Sequence, residues 1–308
     1  MRRRAGLAAA VAATTATGLL AAGAAGAPSA APGEGAIVFS RGGELYAGAP
    51  GTTPRRLTSN RVHDGLPAWS PDRKQIAFVR DAGRDSDIYV MRADGTGVRR
   101  LTGGSRPGRG AQDLYPAWSP DGRSIVFSSN RGEREAELYV MQADGSAVRR
   151  LTRTPRHVQN IQPRYSPDGR WIVFASNRVA YWNIELFRIR VADGGAAKRL
   201  TFWGSGDDGA PGDDLTPSYS PDGKRIAFVS DRAGGYAVWT MRADGTGLRR
   251  AARHERLTVA FPRYSPDGRS LVYTTFTPDS DQSDLRLWTV GAASGPATPR
   301  GLGTEPDW

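Results

Sequence analysis

The hydrophobic residues of this chain fall in short runs bounded by Ser, Pro, Asp and Gly, the pattern of brief β-strands joined by tight turns. One passage, PAWSPDRKQIAFVR and then DIYVMRADGTGVRRLT, starts at Pro67 and recurs from Pro116, Pro163, Pro217 and Pro262. Its turn serine falls at Ser70, Ser119, Ser166, Ser220 and Ser265, in steps of 49, 47, 54 and 45 residues. A period of this size with four strands per unit marks a propeller blade, a small sheet that cannot bury its faces alone and stacks against copies of itself.

Within each unit, strand A is the Pro-x-aromatic-Ser segment, and strand B starts at Ile76, Ile125, Ile172, Ile226 and Leu271. Strand C covers 88–91, 138–141, 186–189, 238–241 and 285–290, and strand D carries a basic pair and ends in Leu-Thr. Pro71 and Asp72 suit the centre of a type I turn, and Gly122, Gly169, Gly223 and Gly268 supply the left-handed residue that follows; Arg73 breaks that pattern in one unit. Asp94-Gly95, Asp144-Gly145, Asp193-Gly194 and Asp244-Gly245 read as hairpin turns between C and D. Residues 36–58 hold strands B, C and D with no strand A before them, while the chain finishes on Pro306, Asp307 and Trp308, a match to 67–69. The expected fold is therefore all-β: a six-bladed β-propeller over residues 36–308, closed by pairing of the C-terminal strand with the N-terminal blade.

Composition narrows the chemistry. With no Cys among 308 residues, a disulfide scaffold, a thiolate zinc site and a thiol nucleophile are excluded. The 38 Gly and 21 Pro are the punctuation of the blades. Residues 1–30 start with Arg2, Arg3 and Arg4 and continue as an uncharged Ala/Gly/Leu run, which reads as a secretory signal peptide followed by a linker at 31–35. An exported monomer is expected, extracellular, wall-associated or periplasmic, with no transmembrane segment once the leader is removed. The net charge of +11 has a location: basic pairs at 55–56, 99–100, 149–150, 198–199 and 249–250 all fall in strand D. That strand is the outer edge of a blade, where charge discourages edge-to-edge association. Charge spread around a rim is not the stripe with stacking aromatics that nucleic acid needs, so no nucleic-acid partner is expected.

The SPDG turn and the downstream ADGxxxRRLT stretch resemble the TolB-like propeller family over residues 36–308. The resemblance implies the six-bladed fold; its members serve as scaffolds, receptors and enzymes, so it does not by itself imply an activity. TolB proper carries an α/β domain ahead of its propeller, used in an envelope complex. Here the expected leader and linker precede Ala36, a departure from that pattern.

The loops from B to C and from D to A lie on one face, vary in length and sequence, and are the expected place for function, around the channel mouth. Six residues before each turn serine stand Asp64, Asp113, Asn160 and Asp214, with Val259 and Gly303 in the two remaining units. Four polar residues entering the innermost strands would suit a cation or a basic peptide segment. The same spacing suits carboxylates that cap their own loops. His157, Trp182 and Trp203 on the same face complete the ligand-binding candidates. His63, His157 and His254 stand at unequal offsets from their turn serines and form no repeated ring. No cofactor is expected; calcium or another divalent cation is the alternative, with Asp207, Asp208, Asp213, Asp279, Asp281 and Asp284 as further loop acids. No G-x-S-x-G elbow, P-loop or dinucleotide fingerprint is present. The reading is a binding or scaffold module for a protein or cell-envelope ligand. Its competitor is a channel-centred enzyme, a polysaccharide lyase or hydrolase, with or without a metal.

Overall fold

The computed structural model describes residues 35–308 apart from 51, 84, 104–109, 133–134, 203–211, 278–285, 293–296 and 303. The leader, Trp203, Gly303, Asp207, Asp208, Asp279, Asp281 and Asp284 lie outside the described residues. The described residues form six four-stranded antiparallel sheets and no helix. Blade 1 contains β1 (Ile37–Arg41), β2 (Glu44–Gly48) and β3 (Arg55–Arg56). Blade 2 is β4 (His63–Trp69), β5 (Gln75–Asp81), β6 (Ser86–Arg92) and β7 (Arg99–Arg100). Blade 3 is β8 (Asp113–Trp118), β9 (Ser124–Ser129), β10 (Glu137–Gln142) and β11 (Arg149–Arg150). Blade 4 is β12 (Asn160–Tyr165), β13 (Trp171–Ala180), β14 (Asn183–Arg190) and β15 (Lys198–Arg199). Blade 5 is β16 (Asp214–Tyr219), β17 (Arg225–Ser230), β18 (Ala237–Arg242) and β19 (Arg249–Arg253). Blade 6 is β20 (Thr258–Tyr264), β21 (Ser270–Phe276), β22 (Arg286–Gly291) and β23 (Thr298–Leu302). The last strand, β24 (Thr304–Asp307), pairs with β1, Val38 opposite Asp307 and Ser40 opposite Thr304, so the ring closes as expected.

The innermost strands differ from expectation in length and shape. They begin within one residue of the Asp64 position rather than at the proline, and each contains one left-handed residue: Leu66, Tyr115, Gln162, Thr216, Phe261 and Glu305, with φ between 50 and 58°. The pairing register shifts at this point in every blade. The cause is in the repeat itself. The next residue is proline, which has no N–H to give to the ladder, and a bulge absorbs the interruption.

Between blades, the core is apolar. Phe78, Phe127, Phe174, Phe228 and Tyr273, at the centre of each second strand, are fully buried. The Trp118 indole N–H donates to Ala68 O of the preceding blade at 3.2 Å. Gly95 has φ +83°, and a Cβ there would lie 2.6 Å from Leu57 O in blade 1. In the unit lacking the turn glycine, Arg73 adopts φ 56° and lays its guanidinium 4.4 Å from the Trp69 ring centroid.

The basic pairs are more than rim charge. Arg56, Arg100, Arg150 and Arg199 form ion pairs with Glu44, Asp87, Glu137 and Glu185, buried carboxylates at the start of each third strand. Thr58, Thr102, Thr152 and Thr201 accept the N–H of Leu45, Ile88, Leu138 and Leu186, each at 2.9 Å. The first arginine of three pairs reaches the next blade: Arg55 donates to Asp94 O, Arg99 to Asp144 O and Arg149 to Val191 O. Blade 5 loses the set together, with Ala237 in place of the acid and Ala251 and Ala252 in place of Leu-Thr.

Candidate functional site: the channel and its loop face

Asp64, Asp113, Asn160 and Asp214 stand at or next to the start of the innermost strands of blades 2 to 5, and all four are buried. Each meets an arginine from the second strand or the loop after it. Arg80 grips Asp64 with two bonds, Nε to Oδ1 at 2.7 Å and Nη2 to Oδ2 at 2.9 Å. Arg131 Nη2 donates to Asp113 Oδ2 at 2.5 Å, and Arg232 Nη2 donates to Asp214 Oδ1 at 2.7 Å. The same guanidiniums lie over aromatic rings of their own blades, Arg80 over Tyr89 at 4.9 Å and Arg232 over Phe228 at 5.3 Å. The expected set of carboxylates open to a cation is therefore a set of ion pairs, because each carboxylate is turned toward a guanidinium that would otherwise be left over an apolar wall.

Blade 4 breaks the series. Asn160 accepts from Arg178 Nη2 at 2.6 Å and donates through Nδ2 to Glu137 Oε2 at 2.7 Å. An amide suits this place because one side presents a donor and the other an acceptor. Arg178 thus lacks the carboxylate its counterparts have, and no ion pair to it exists among the described residues. The contrast shows in the guanidiniums: the Asp64 hydrogen bond holds Arg80 above its ordinary pKa, whereas burial pushes Arg178 down, with Glu137 pulling the other way.

The second and third strands of blade 4 also extend beyond the others as a hairpin, with Tyr181 and Trp182 at its tip, each 70% exposed. Val179 on the same hairpin is exposed too. His157 meets the Tyr181 ring edge-on at 6.0 Å, while Asn177 Nδ2 donates to His157 O at 3.0 Å. His157 and Trp182 therefore share one blade with Asn160, on the loop face. The other histidines stand apart: His63 begins β4, and His254 packs on Trp288 and contacts Tyr273 Oη at 2.9 Å. Asp213 accepts from Ile184 N at 2.9 Å. Among the described residues no three His, Asp or Glu side chains gather in a way that would hold a metal ion.

Sequence reasoning missed the arginine partners. The signal was present as Ser129-Asn130-Arg131, Ser176-Asn177-Arg178 and Ser230-Asp231-Arg232. In blade 6, where Val259 replaces the acid, Thr277 stands in place of the arginine.

Six blades around a ring of buried inner strands define a six-bladed β-propeller. The family described as TolB beta propeller domain matches residues 106–211. An uncharacterized protein of Agrobacterium fabrum is 35% identical over 92 residues, and an uncharacterized peptidase of Bacillus subtilis is 34% identical over 92 residues. Those matches cover 28% and 30% of this chain but only 27% and 14% of the two relatives. Among solved structures, TolB from Acinetobacter baumannii superimposes with a TM-score of 0.71 at 26% identity, over 89% of this chain and 66% of that one. A putative TolB from Agrobacterium tumefaciens gives 0.66 at 22%, over 87% and 90%. An oligogalacturonate lyase from Vibrio parahaemolyticus gives 0.52 at 14%, over 87% and 74%, a likeness of fold alone. Residues 106–211 match the TolB propeller family, and the fold of the chain is similar to that of the TolB structures.

Proposed function

We propose that this protein is an exported binding module that holds a protein or cell-envelope ligand on the loop face of the propeller, at blade 4. The observation that carries the reading is the pairing of two exposed aromatics, Tyr181 and Trp182, with an arginine, Arg178, that lacks the carboxylate partner of its counterparts. Aromatic and arginine side chains supply most of the binding energy at interfaces, and exposed apolar tips have no packing reason to be there. The charge predicts the ligand: a segment with an acidic group beside an apolar one. Export rests on the Arg-led apolar leader at 1–30, and no helix among the described residues is long and apolar enough to cross a membrane. A protease, a hydrolase and a lyase among the structural neighbours contain the same fold, so catalysis is the competing outcome.

Photo-crosslinking in cells tests the proposal. A crosslinker replacing Trp182 is expected to trap a defined envelope component, and one replacing Lys224, on the opposite face, is expected not to. Equal labelling at both positions, or none at 182, overturns the blade 4 assignment. Turnover of a polysaccharide or ester by the purified protein would replace the binding reading with the enzymatic one.

A further inference from the structure

Two residues before each turn serine, the innermost strands carry Ala68, Ala117, Arg164, Ser218 and Arg263, and Asp307 takes this place in β24. Three positions are small and uncharged, and the other three are ionic. Arg164 Nη1 donates to Pro116 O of the preceding blade at 3.3 Å, so its side chain crosses from one inner strand to the next. Arg263 Nη1 donates to its neighbour Pro262 O at 2.9 Å, and Arg263 Nε stands 3.6 Å from Asp307 Oδ1. Asp307 in turn accepts the Trp69 N–H at 2.8 Å. The guanidinium of Arg263 therefore faces a carboxylate whose other oxygen is already in use.

The Arg263 side chain is only 10% exposed, and its Nε makes no hydrogen bond among the described residues. Adjacent inner strands hold two more buried polar atoms in the same condition, Gln162 Nε2 and Thr216 Oγ1. Gln162 Oε1 is occupied, accepting from Thr216 N at 2.7 Å, so the end left over is the amide nitrogen, a donor. Glu305, one layer away, is committed to the Leu66 N–H at 2.6 Å. Burial, with Arg164 close by, pushes the Arg263 guanidinium well below its ordinary pKa, and only Asp307 opposes this. Buried donors and an unbalanced positive charge are costly to fold and persist where something else completes them.

We propose that the inner strands of blades 4, 5 and 6 form an anion site, in which Arg164 and Arg263 bind a single carboxylate group. A carboxylate matches the site in charge and shape: it balances one excess positive charge, and its two oxygens suit a guanidinium fork. The amide of Gln162 and the hydroxyl of Thr216 are placed to serve the same ligand. This site is separate from the aromatic tip of blade 4, and neither reading depends on the other.

Isothermal titration calorimetry at low salt, in a buffer without carboxylates, tests it with four probes: acetate, inorganic phosphate, and trialanine with a free or an amidated C-terminus. Acetate and free trialanine are expected to bind, amidated trialanine is expected not to, and Arg263→Met and Arg164→Met are each expected to weaken binding by about tenfold or more. Free trialanine binding well above acetate marks a peptide terminus as the source; equal binding marks a small organic acid. Lys224→Ala, on the opposite face, is expected to leave all four titrations unchanged. Because an apolar residue replaces a buried cation, Arg263→Met should keep or raise the unliganded melting temperature while losing the rise that acetate gives the parent. Binding of no probe, tighter binding of phosphate than of either carboxylate, or unchanged binding in both Met variants overturns the site.

Discussion

Removing one half of the Asp214–Arg232 pair separates a structural role from a ligand-binding one. Both side chains are buried, at 3% and 7% exposure, and meet at 2.7 Å. Arg232 Nε also donates to Ser230 Oγ at 2.9 Å, and its guanidinium lies 5.3 Å from the Phe228 ring centroid. Asp214→Ala removes the buried carboxylate that Arg232 Nη2 bonds. Stranding a buried charge costs about 3–5 kcal/mol, and at about 2–4 °C per kcal/mol for a domain of this size the melting temperature should fall by roughly 6–20 °C. Arg232→Met on top of Asp214→Ala should recover most of the loss, because the double variant strands nothing. Differential scanning calorimetry of the two single variants and the double variant closes the cycle. If Asp214→Ala melts within about 1 kcal/mol of the parent, a difference ordinary for an exposed position, the pair is not structural and the carboxylate is free for a ligand after all.

Two further outcomes follow from other parts of the ring. Gly95→Ala places a methyl 2.6 Å from Leu57 O in a left-handed backbone, which should cost more than the roughly 1–2 kcal/mol of the conformation alone and show in urea denaturation; a neutral variant would mean that blades 1 and 2 are not in contact there. His254, half-buried against Trp288 and Tyr273, has its imidazole pKa lowered by burial. The unfolded chain therefore takes up the proton first, so this contribution is full above the ordinary imidazole value of about 6.5 and is lost as pH falls through it and on toward the folded value. His254→Gln should flatten that segment of the stability–pH curve, and an unchanged slope would remove His254 as its source.

The repeat made blade number, strand order and ring closure readable because each depends on local chemistry: apolar runs, Pro-Asp-Gly turns, and a stray Pro-Asp-Trp at the end that had to find its partner strand. Even the bulges were implicit in the prolines at 67, 116, 163, 217, 262 and 306. The partners of the acids were harder. Asp113 and Arg131 are 18 residues apart, with the aromatic Phe127 between them in sequence and beneath the guanidinium in space. The repeated Ser-Asn-Arg ending of the second strand held the clue, but an arginine at a strand end reads as a solvated charge until the opposite strand is placed beside it.

What the amino-acid order settled by itself is the architecture, since hairpins and repeat stacking are enforced by residues near one another in the chain. What only the folded ring decided is which charges are used up. Glu44, Asp87, Glu137 and Glu185 are joined to strand D, and Asp64, Asp113 and Asp214 to the arginines of strand B and its loop. Arg178, beside an amide, and Arg263, beside a carboxylate already engaged, are left in excess. A charge count gives the sum over the whole surface. Ion pairing depends on distances of a few ångströms between residues that stand a dozen or more positions apart, 44 in the case of Arg263 and Asp307, and those distances exist only once the strands are placed side by side.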